Sequence, residues 1–357
     1  MKKVLKIILT IILIFLLVIV GYLAYVFLSY DRIEDNQELE VAQVSNHHKV
    51  PVGVDQEITT YNIGFCAYLP EFSFFMDGGT ESRAFSKEAV AKDVLNIGNL
   101  LKKIDSDFNM IEEVDFGSTR SYNVDQKTYL QNDLNNYSNS FAVNYNSSYL
   151  FYPFTCPHGA SKSGLLTLSK YNLESASRRS LPIQEDLAKF LDLDRCYSIN
   201  RIPTENGKYL VLFTFHLSAY TTDTTIGDKQ LEMLYTDMQK EYDQGNYVIA
   251  GGDFNKDLLG DSSKYFGISG EDFSWAKSFN FESLPDDFTL MAPLDKKNPI
   301  PSCRNCDEAW NPDTTFQITI DGFMVSKNIK AETPKVQDTN FAYSDHQPVT
   351  MTFKLMK

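Results

Sequence analysis

A chain of 357 residues, 43% of them hydrophobic, is long enough for one large domain or two small ones. No Pro-, Gly- or Ser-rich linker interrupts it beyond about residue 55, which favours one. Its net charge of -14 argues against the basic surface of a protein that holds long nucleic acid non-specifically. A nuclease stays open, because a bound divalent cation supplies positive charge locally.

The chain opens on Lys2, Lys3 and Lys6, and residues 7–28 follow without a charged side chain. At about 1.5 Å per residue this run is long enough to cross a hydrocarbon core of roughly 30 Å. A cleaved signal peptide is the competing reading. Its apolar region is only about 7 to 15 residues long and ends on small residues. Here the run ends Gly21-Tyr22-Leu23-Ala24-Tyr25-Val26-Phe27-Leu28, bulky where that site needs small residues. The expectation is a single-pass protein of the cell membrane, with residues 1–6 in the cytosol and 7–28 as a transmembrane anchor. Lysines before the run and Asp31, Glu34 and Asp35 after it place the remainder outside by the positive-inside rule. Residues 29–54 are polar, acidic and aperiodic, and read as an extracytoplasmic linker.

From there short apolar runs alternate with helical patterns. Glu57–Ile63 is rich in β-branched residues and reads as a strand. Ser86 is placed to cap a helix in which Val90, Val94, Ile97, Leu101 and Ile104 recur at helical spacing. Phe108–Glu113 reads as a second strand, followed by Gly164–Leu168, Tyr209–Phe215, Tyr247–Ala250, Ile318–Val325 and Val349–Phe353. Ile226–Gln244 sets Leu231, Leu234, Met238 and Tyr242 on one helical face, and Gly245 stands where the residue after a helix end belongs. Strands and helices in this order make a layered α/β domain. Residues 260–311, aromatic and weakly periodic, are expected to be a long loop region on the active-site side. Phe72 to Met76 has two readings, a membrane-docking element or a buried plug. Of the five cysteines, Cys303 and Cys306 are spaced to close a short disulfide loop, and Cys66 and Cys156 either pair or remain thiols. A zinc knuckle would need a second closely spaced pair, which the sequence lacks.

Polar clusters stand at or beside the apolar runs: Asn62, Glu112-Glu113, His216, Asp253 with Asn255, Asp321, and Asp345-His346. Each alone has a bland reading; Asp253 and Asn255 after Gly251-Gly252 make an ordinary Asx turn. Together they supply what phosphodiester hydrolysis asks for. Carboxylate and amide oxygens suit Mg²⁺ or Mn²⁺. A histidine partnered by an aspartate serves as an acid, a base or a stabiliser of phosphoryl oxygens.

At these residues the sequence resembles the endonuclease/exonuclease/phosphatase superfamily, over roughly residues 55–357. Tyr61-Asn62-Ile63 is similar to the opening strand, and Ile111-Glu112-Glu113-Val114 to Gln-Glu-Val with Glu112 in place of Gln. Ser163–Ser169 resembles the Gly-containing strand, and Phe215-His216-Leu217 resembles Thr-His-Leu with Phe215 replacing Thr. Gly252-Asp253-Phe254-Asn255 and Ser344-Asp345-His346 match in full, and Ile320-Asp321-Gly322-Phe323 matches with Gly322 replacing an aromatic. The resemblance implies a four-layer α/β sandwich of two mixed sheets flanked by helices, here with a transmembrane helix before it and a catalytic domain over 55–357. It also implies roles. Glu113 binds the metal, with Asn62 and Asp345 beside it. Asp253 orients or deprotonates the attacking water, Asn255 supports the phosphate, and His216 and His346 contact phosphoryl oxygens. Asp321 pairs with His346, which also acts as general acid or base.

Arg120, Lys162 and His158 are the further candidates for contact with substrate, each against the plainer reading of a surface or loop residue. The function expected is hydrolysis of phosphodiester bonds outside the membrane, with a slight preference for a phospholipid or small phosphodiester. The alternatives are an extracellular nuclease, a phosphomonoesterase, and a surface binding protein that has kept the fold without turnover. The anchor makes the membrane a partner, and no stable protein partner is expected.

Overall fold

The computed structural model describes residues 2–44, 48–185, 189, 194–219, 225–270, 273 and 275–357. Lys2–Ser29 is one helix without a buried residue, long and apolar enough to cross a membrane. Beyond it, two mixed sheets carry the chain. Among the described residues the first has seven strands, in the order Gln37–Glu38, Ser175–Ser180, Cys196–Pro203, Tyr209–His216, Tyr247–Asp253, Asp321–Ser326 and Phe288–Met291. The second has eight: Ile329–Ala331, Val349–Leu355, Asp55–Asn62, Phe108–Asp115, Lys162–Ser169, Ser138–Asn146 and Val41–Ala42 in order, with Lys335–Val336 paired beside Val349–Leu355.

The apolar period of two explains the layering. Leu210 and Leu212 face the space between the sheets, where they meet Ile58, Met110, Ile249, Phe323 and Met351. Val211, Phe213 and Phe215 face outward under the helix Ile226–Asp243, against Leu231, Leu234 and Met238. On the far side, the helix Lys87–Ile104 lays Val90, Val94, Ile97 and Leu101 over Tyr61, Ile111, Leu166 and Leu168. Ser86 caps that helix through the Ala89 N–H, at 3.1 Å. Tyr247–Asp253 is buried at every position, so its sequence reads as an unbroken apolar run rather than an alternating one. The expected helices and central strands are therefore present, with Ile226–Asp243 ending one residue early and the strand expected over Ile318–Val325 divided: Gln317–Ile318 pairs with Cys303–Arg304, and Asp321–Ser326 enters the first sheet.

Three expectations change. Part of the segment read as a linker is built into the sheets: Gln37–Glu38 and Val41–Ala42 pair with Ser175–Ser180 and Ser138–Asn146, extending one edge of each. Pairing through backbone groups leaves little trace in side-chain composition, and this segment looked aperiodic for that reason. Cys303 and Cys306 are both free thiols, as are Cys66, Cys156 and Cys196. Residues 260–311 are not all loop; Phe288–Met291 pairs with Asp321–Ser326, and a short helix and a 3₁₀ turn lie at Ser263–Phe266 and Phe281–Ser283. The strands Ser138–Asn146, Ser175–Ser180 and Cys196–Pro203 have no counterpart in the sequence reading, being rich in Ser, Asn and Arg.

Candidate active site

The site forms where strands of both sheets end at one rim. In the first sheet, Asp253 pairs in register with His216 on one side and with Asp321 on the other, so three neighbouring strands place an ionisable group at one level. Gly252 makes this possible. Its φ is +148°, and a Cβ there would lie 1.9 Å from the Phe215 carbonyl oxygen. Only glycine lets the strands approach so closely.

The second sheet contributes Asn62 and Glu113. Strict alternation would send Glu112 and Glu113 to opposite faces. Instead the pairing of Phe108–Asp115 with Lys162–Ser169 shifts between Ile111 and Val114, and Glu113 takes φ 57°. This bulge turns Glu113 towards Asn62, while Glu112 stays beneath and accepts from the Thr60 hydroxyl at 3.0 Å. Asn62 holds the centre. Its Oδ1 accepts the Gly64 N–H at 3.0 Å, which fixes the amide's orientation. Its Nδ2 then donates to Glu113 Oε1 at 3.2 Å and to Asp253 Oδ2 at 3.1 Å.

His346 is held by Asp321, with Nδ1 2.9 Å from Oδ2, and Asp321 Oδ2 also accepts the Ser302 hydroxyl at 2.7 Å. The other ring nitrogen lies 3.6 Å from Asp253 Oδ2 and 3.5 Å from the Cys303 sulfur. Burial works against the imidazolium, but Asp321, Cys303, Asp345 and Asp253 outweigh it and hold the His346 pKa well above the ordinary value. His216 is the opposite case. Burial, with Arg195 and His346 adding to it, pushes its pKa well below the ordinary value, and its Nδ1 is buried without a partner among the described residues. Its Nε2 is 3.4 Å from Asp253 Oδ2. Burial raises Asp253 to about 7, with His346 opposing and Asp321 adding to the rise. Two histidines with their pKa values moved in opposite directions, beside a carboxylate near neutrality, make an acid–base set.

Above these groups lies a cleft with about 140 Å³ of room for water-sized molecules, lined by Glu113, Arg120, His158, His216, Asp253, Asn255, Asp345 and His346 among others. Asn62 and Asp321 sit behind its wall. Asn255, at φ 49°, donates from Nδ2 to the Leu217 carbonyl at 2.8 Å, and Asp253 Oδ1 accepts its N–H at 2.8 Å. Arg120 is clamped by Asp115 through Nε at 3.1 Å and a terminal nitrogen at 2.8 Å, and lies 3.8 Å over the Phe65 ring. That same terminal nitrogen is 4.0 Å from Glu113 Oε2. His158 has Nδ1 2.7 Å from the Ser82 carbonyl, and burial, helped by the Arg120 charge, lowers its pKa to about 4.

Of the three further candidates, Arg120 and His158 line the cleft, whereas Lys162 takes the plainer reading: it is exposed at the start of its strand and does not line the cleft. Phe72 to Met76 falls on the plug side of its two readings, because Phe72 and Phe74 are buried against Tyr68 while Phe74 and Met76 form cleft wall. Sequence reasoning did not single out Asp115, Ser302, Arg195, Arg304, Asn305 or Trp275. The first two support site residues from below, and the other four line the cleft. Arg304 and Asn305 stand between the two cysteines, and nothing in their spacing marks them.

With this geometry in hand, the comparisons with known proteins are decisive for the family. Residues 59–346 match the model of the Endonuclease/Exonuclease/phosphatase family. The chain belongs to that family. Solved structures share its fold at low identity. An endonuclease/exonuclease/phosphatase from Beutenbergia cavernae matches at TM-score 0.56 and 16% identity, covering 85% of this chain and 72% of that one. ANGEL2, a 2',3'-cyclic phosphatase in complex with adenosine-2',3'-vanadate, matches at 0.55 and 14%, covering 90% and 99%. A truncated TDP2 from Caenorhabditis elegans matches at 0.51 and 14%, covering 85% and 99%. No curated protein gives a significant match to the sequence.

As a chain of the endonuclease/exonuclease/phosphatase family, it has donors that fit a hard divalent cation. Glu113 and Asp345 bring carboxylates to the cleft, and the Glu113 pKa is raised by burial first and also by Asp345, while Arg120 opposes. A cation relieves that crowding of negative charge. Asn62, expected beside the metal, presents its N–H groups to the Glu113 and Asp253 carboxylates and so positions them. Asp253, Asp321 and His346 also bring ligand atoms within 4.8 Å of one another. Asp253 there accepts from Asn62 and Asn255, and Asp321 accepts from Ser302 and faces His346 Nδ1.

Proposed function

We propose that this chain is a divalent-metal-dependent phosphodiester hydrolase, anchored by its N-terminal helix with the catalytic domain, residues 55–357, on the outer side of the cell membrane. The observation that supports the reading is the convergence of Asp253, His216 and the His346–Asp321 pair on one cleft beside the Glu113 and Asp345 carboxylates. Mg²⁺ or Mn²⁺, held by Glu113 and Asp345, would supply charge neutralisation at the phosphoryl group. Asp253, with a pKa near neutrality, takes the proton of the attacking water. His346, kept charged by Asp321, donates to a phosphoryl oxygen or to the leaving group, and Asn62 keeps Asp253 turned towards the water. Neutral His216 and the Asn255 amide complete the cradle. No covalent intermediate is required.

The acidic charge of the chain and its anchor favour a phospholipid or small phosphodiester over a long nucleic acid. The test is cleavage of bis(p-nitrophenyl) phosphate by the full chain in detergent, with Mg²⁺ or Mn²⁺ and with EDTA. Activity should fall at least about 100-fold in EDTA and in His346→Ala and Asp253→Ala, each checked for native secondary structure. Undiminished rates in EDTA and in both variants refute the reading, and no rate in any form supports a binding protein. A panel of DNA, RNA, phospholipids and inositol phosphates then separates the substrates.

A further inference from the structure

Residues 134–161 contain no Asp, Glu, Lys or Arg, in a chain whose net charge is -14. The middle of this stretch is a hairpin between the strands Ser138–Asn146 and Lys162–Ser169, closed by paired hydrogen bonds between Leu150 and Gly159 at 3.0 and 3.1 Å. Its tip carries Phe151, Tyr152 and Phe154, which are 51%, 55% and 85% exposed. Tyr152 and Phe154 pack edge-on against each other, with centroids 5.9 Å apart. Three large aromatics exposed together on an otherwise acidic protein are not explained by the fold they decorate.

What lies beside them supplies the explanation. Tyr22, Tyr25 and Ser29 share one face of the N-terminal helix and all three meet this hairpin. The Tyr22 hydroxyl donates to the Tyr149 carbonyl at 3.2 Å and accepts the Phe151 N–H at 3.4 Å. Tyr25 accepts the Tyr149 N–H at 3.2 Å, Ser29 and Ser148 hydroxyls are 2.5 Å apart, and Phe151 packs edge-on against the Tyr22 ring at 5.2 Å. Tyr22 is seven residues before the end of the helix, about 10 Å along its axis at 1.5 Å per residue. If the helix crosses a bilayer, that depth falls at the boundary between headgroups and acyl chains, where tyrosine and other aromatics concentrate. The hairpin also reaches the cleft. Tyr152 lies 5.9 Å from Phe75, and Phe74 and Phe75 lie 5.9 and 5.7 Å from His158 on the cleft wall.

We infer that the hairpin tip, Phe151 to Phe154, enters the interfacial layer of the same membrane as the helix and seats the rim of the cleft at the lipid surface, so that the site takes the phosphodiester of a lipid headgroup. This deepens the reading of the chain as a membrane-anchored phosphodiesterase and rests on it. The uncharged hairpin offers the membrane an apolar contact with no acidic side chain to be repelled, in a chain whose net charge is negative.

Cys156 is the exposed cysteine of the five and lies two residues from Phe154, so the full chain takes an environment-sensitive maleimide dye at the tip. The labelled chain is reconstituted in phosphatidylcholine vesicles containing lipids spin-labelled near the headgroup. The expected result is a blue-shifted emission quenched at least twofold by those lipids. A second chain, Cys156→Ser with Thr10→Cys, reports on the helix, using lipids spin-labelled deep in the acyl chain. Quenching at position 10 without quenching at 156 overturns the docking inference and leaves the anchor standing. Quenching at neither overturns the anchor, and the inference with it. In parallel, Phe154→Asp should lower the ratio of headgroup hydrolysis in vesicles to bis(p-nitrophenyl) phosphate hydrolysis at least tenfold. An unchanged ratio, or turnover of the soluble diester with no headgroup cleaved in a phospholipid panel, overturns the lipid assignment. No turnover of either diester refutes the hydrolase reading itself.

Discussion

Asp93 points from the helix Lys87–Ile104 into the core, and among the described residues neither of its carboxylate oxygens has a hydrogen-bond partner. Burial alone raises its pKa to about 8. An unfolded aspartate titrates near 3.9, so the folded chain binds one more proton than the unfolded chain between about pH 4 and 8. Stability therefore falls as pH rises through that window; the penalty is absent below it and complete above it. At ~1.4 kcal/mol per pKa unit the full penalty is on the order of 5 kcal/mol, as large as the net stability of many domains. Asp93→Asn keeps the shape and removes the titration. Urea unfolding of the detergent-solubilised chain at pH 5, 6, 7 and 8, followed by tryptophan fluorescence, measures the gap between the two proteins. The variant should gain on the wild type with each unit of pH, by up to ~1.4 kcal/mol. A gap that stays flat from pH 5 to 8 would show that Asp93 is solvated or paired in solution, and would refute the argument.

Other substitutions probe the site. Asp321→Asn removes the largest charge that keeps His346 protonated, so hydrolysis should drop ~10²- to 10⁴-fold, and the alkaline limb of its pH profile should move to lower pH. An unshifted limb would mean that Asp321 does not set the charge of His346. Glu113→Gln should raise the Mg²⁺ concentration for half-maximal rate by tenfold or more, on the order expected for losing a carboxylate donor, as read from a metal titration. Arg120→Ala strands the Asp115 carboxylate, which is fully buried, and should cost about 3–5 kcal/mol in unfolding experiments. Lys162→Ala, at an exposed side chain outside the cleft, should change stability by less than about 0.5 kcal/mol.

The candidate site was legible in the sequence because its residues sit where strands end, and strand ends are where apolar runs break. Tyr247 to Asp253 is the clearest case: seven buried residues run straight into the carboxylate. Less was legible where backbone rather than side chains does the work. Ser175–Ser180, spelled Ser-Ala-Ser-Arg-Arg-Ser, pairs on both sides, yet no apolar alternation announces it. Gln37–Glu38 and Val41–Ala42 are too short to show any period. The bulge at Glu113 was invisible as well, although two adjacent glutamates at the end of an apolar strand are a hint that alternation fails there. Arg304 and Asn305 reach the cleft only because a loop folds back beside His346, and spacing does not encode such a return. The hairpin at Phe151 to Phe154 leaves no mark in the sequence for a different reason. Its aromatics resemble core residues until their exposure is known.

Asn62 belongs to one sheet and Asp253 to the other, and at the rim the Asn62 amide spans the boundary between them at 3.1 Å. The two sheets thus act like the jaws of a calliper, and Asn62 reads the gap. A change in that gap reaches the reacting groups undamped, since a hydrogen bond tolerates only a few tenths of an ångström. Residues such as Ile58, Leu212 and Met351, buried between the sheets, become in effect part of the rate-determining geometry. Truncating one of them should be felt first as a slower enzyme and only then as a less stable one.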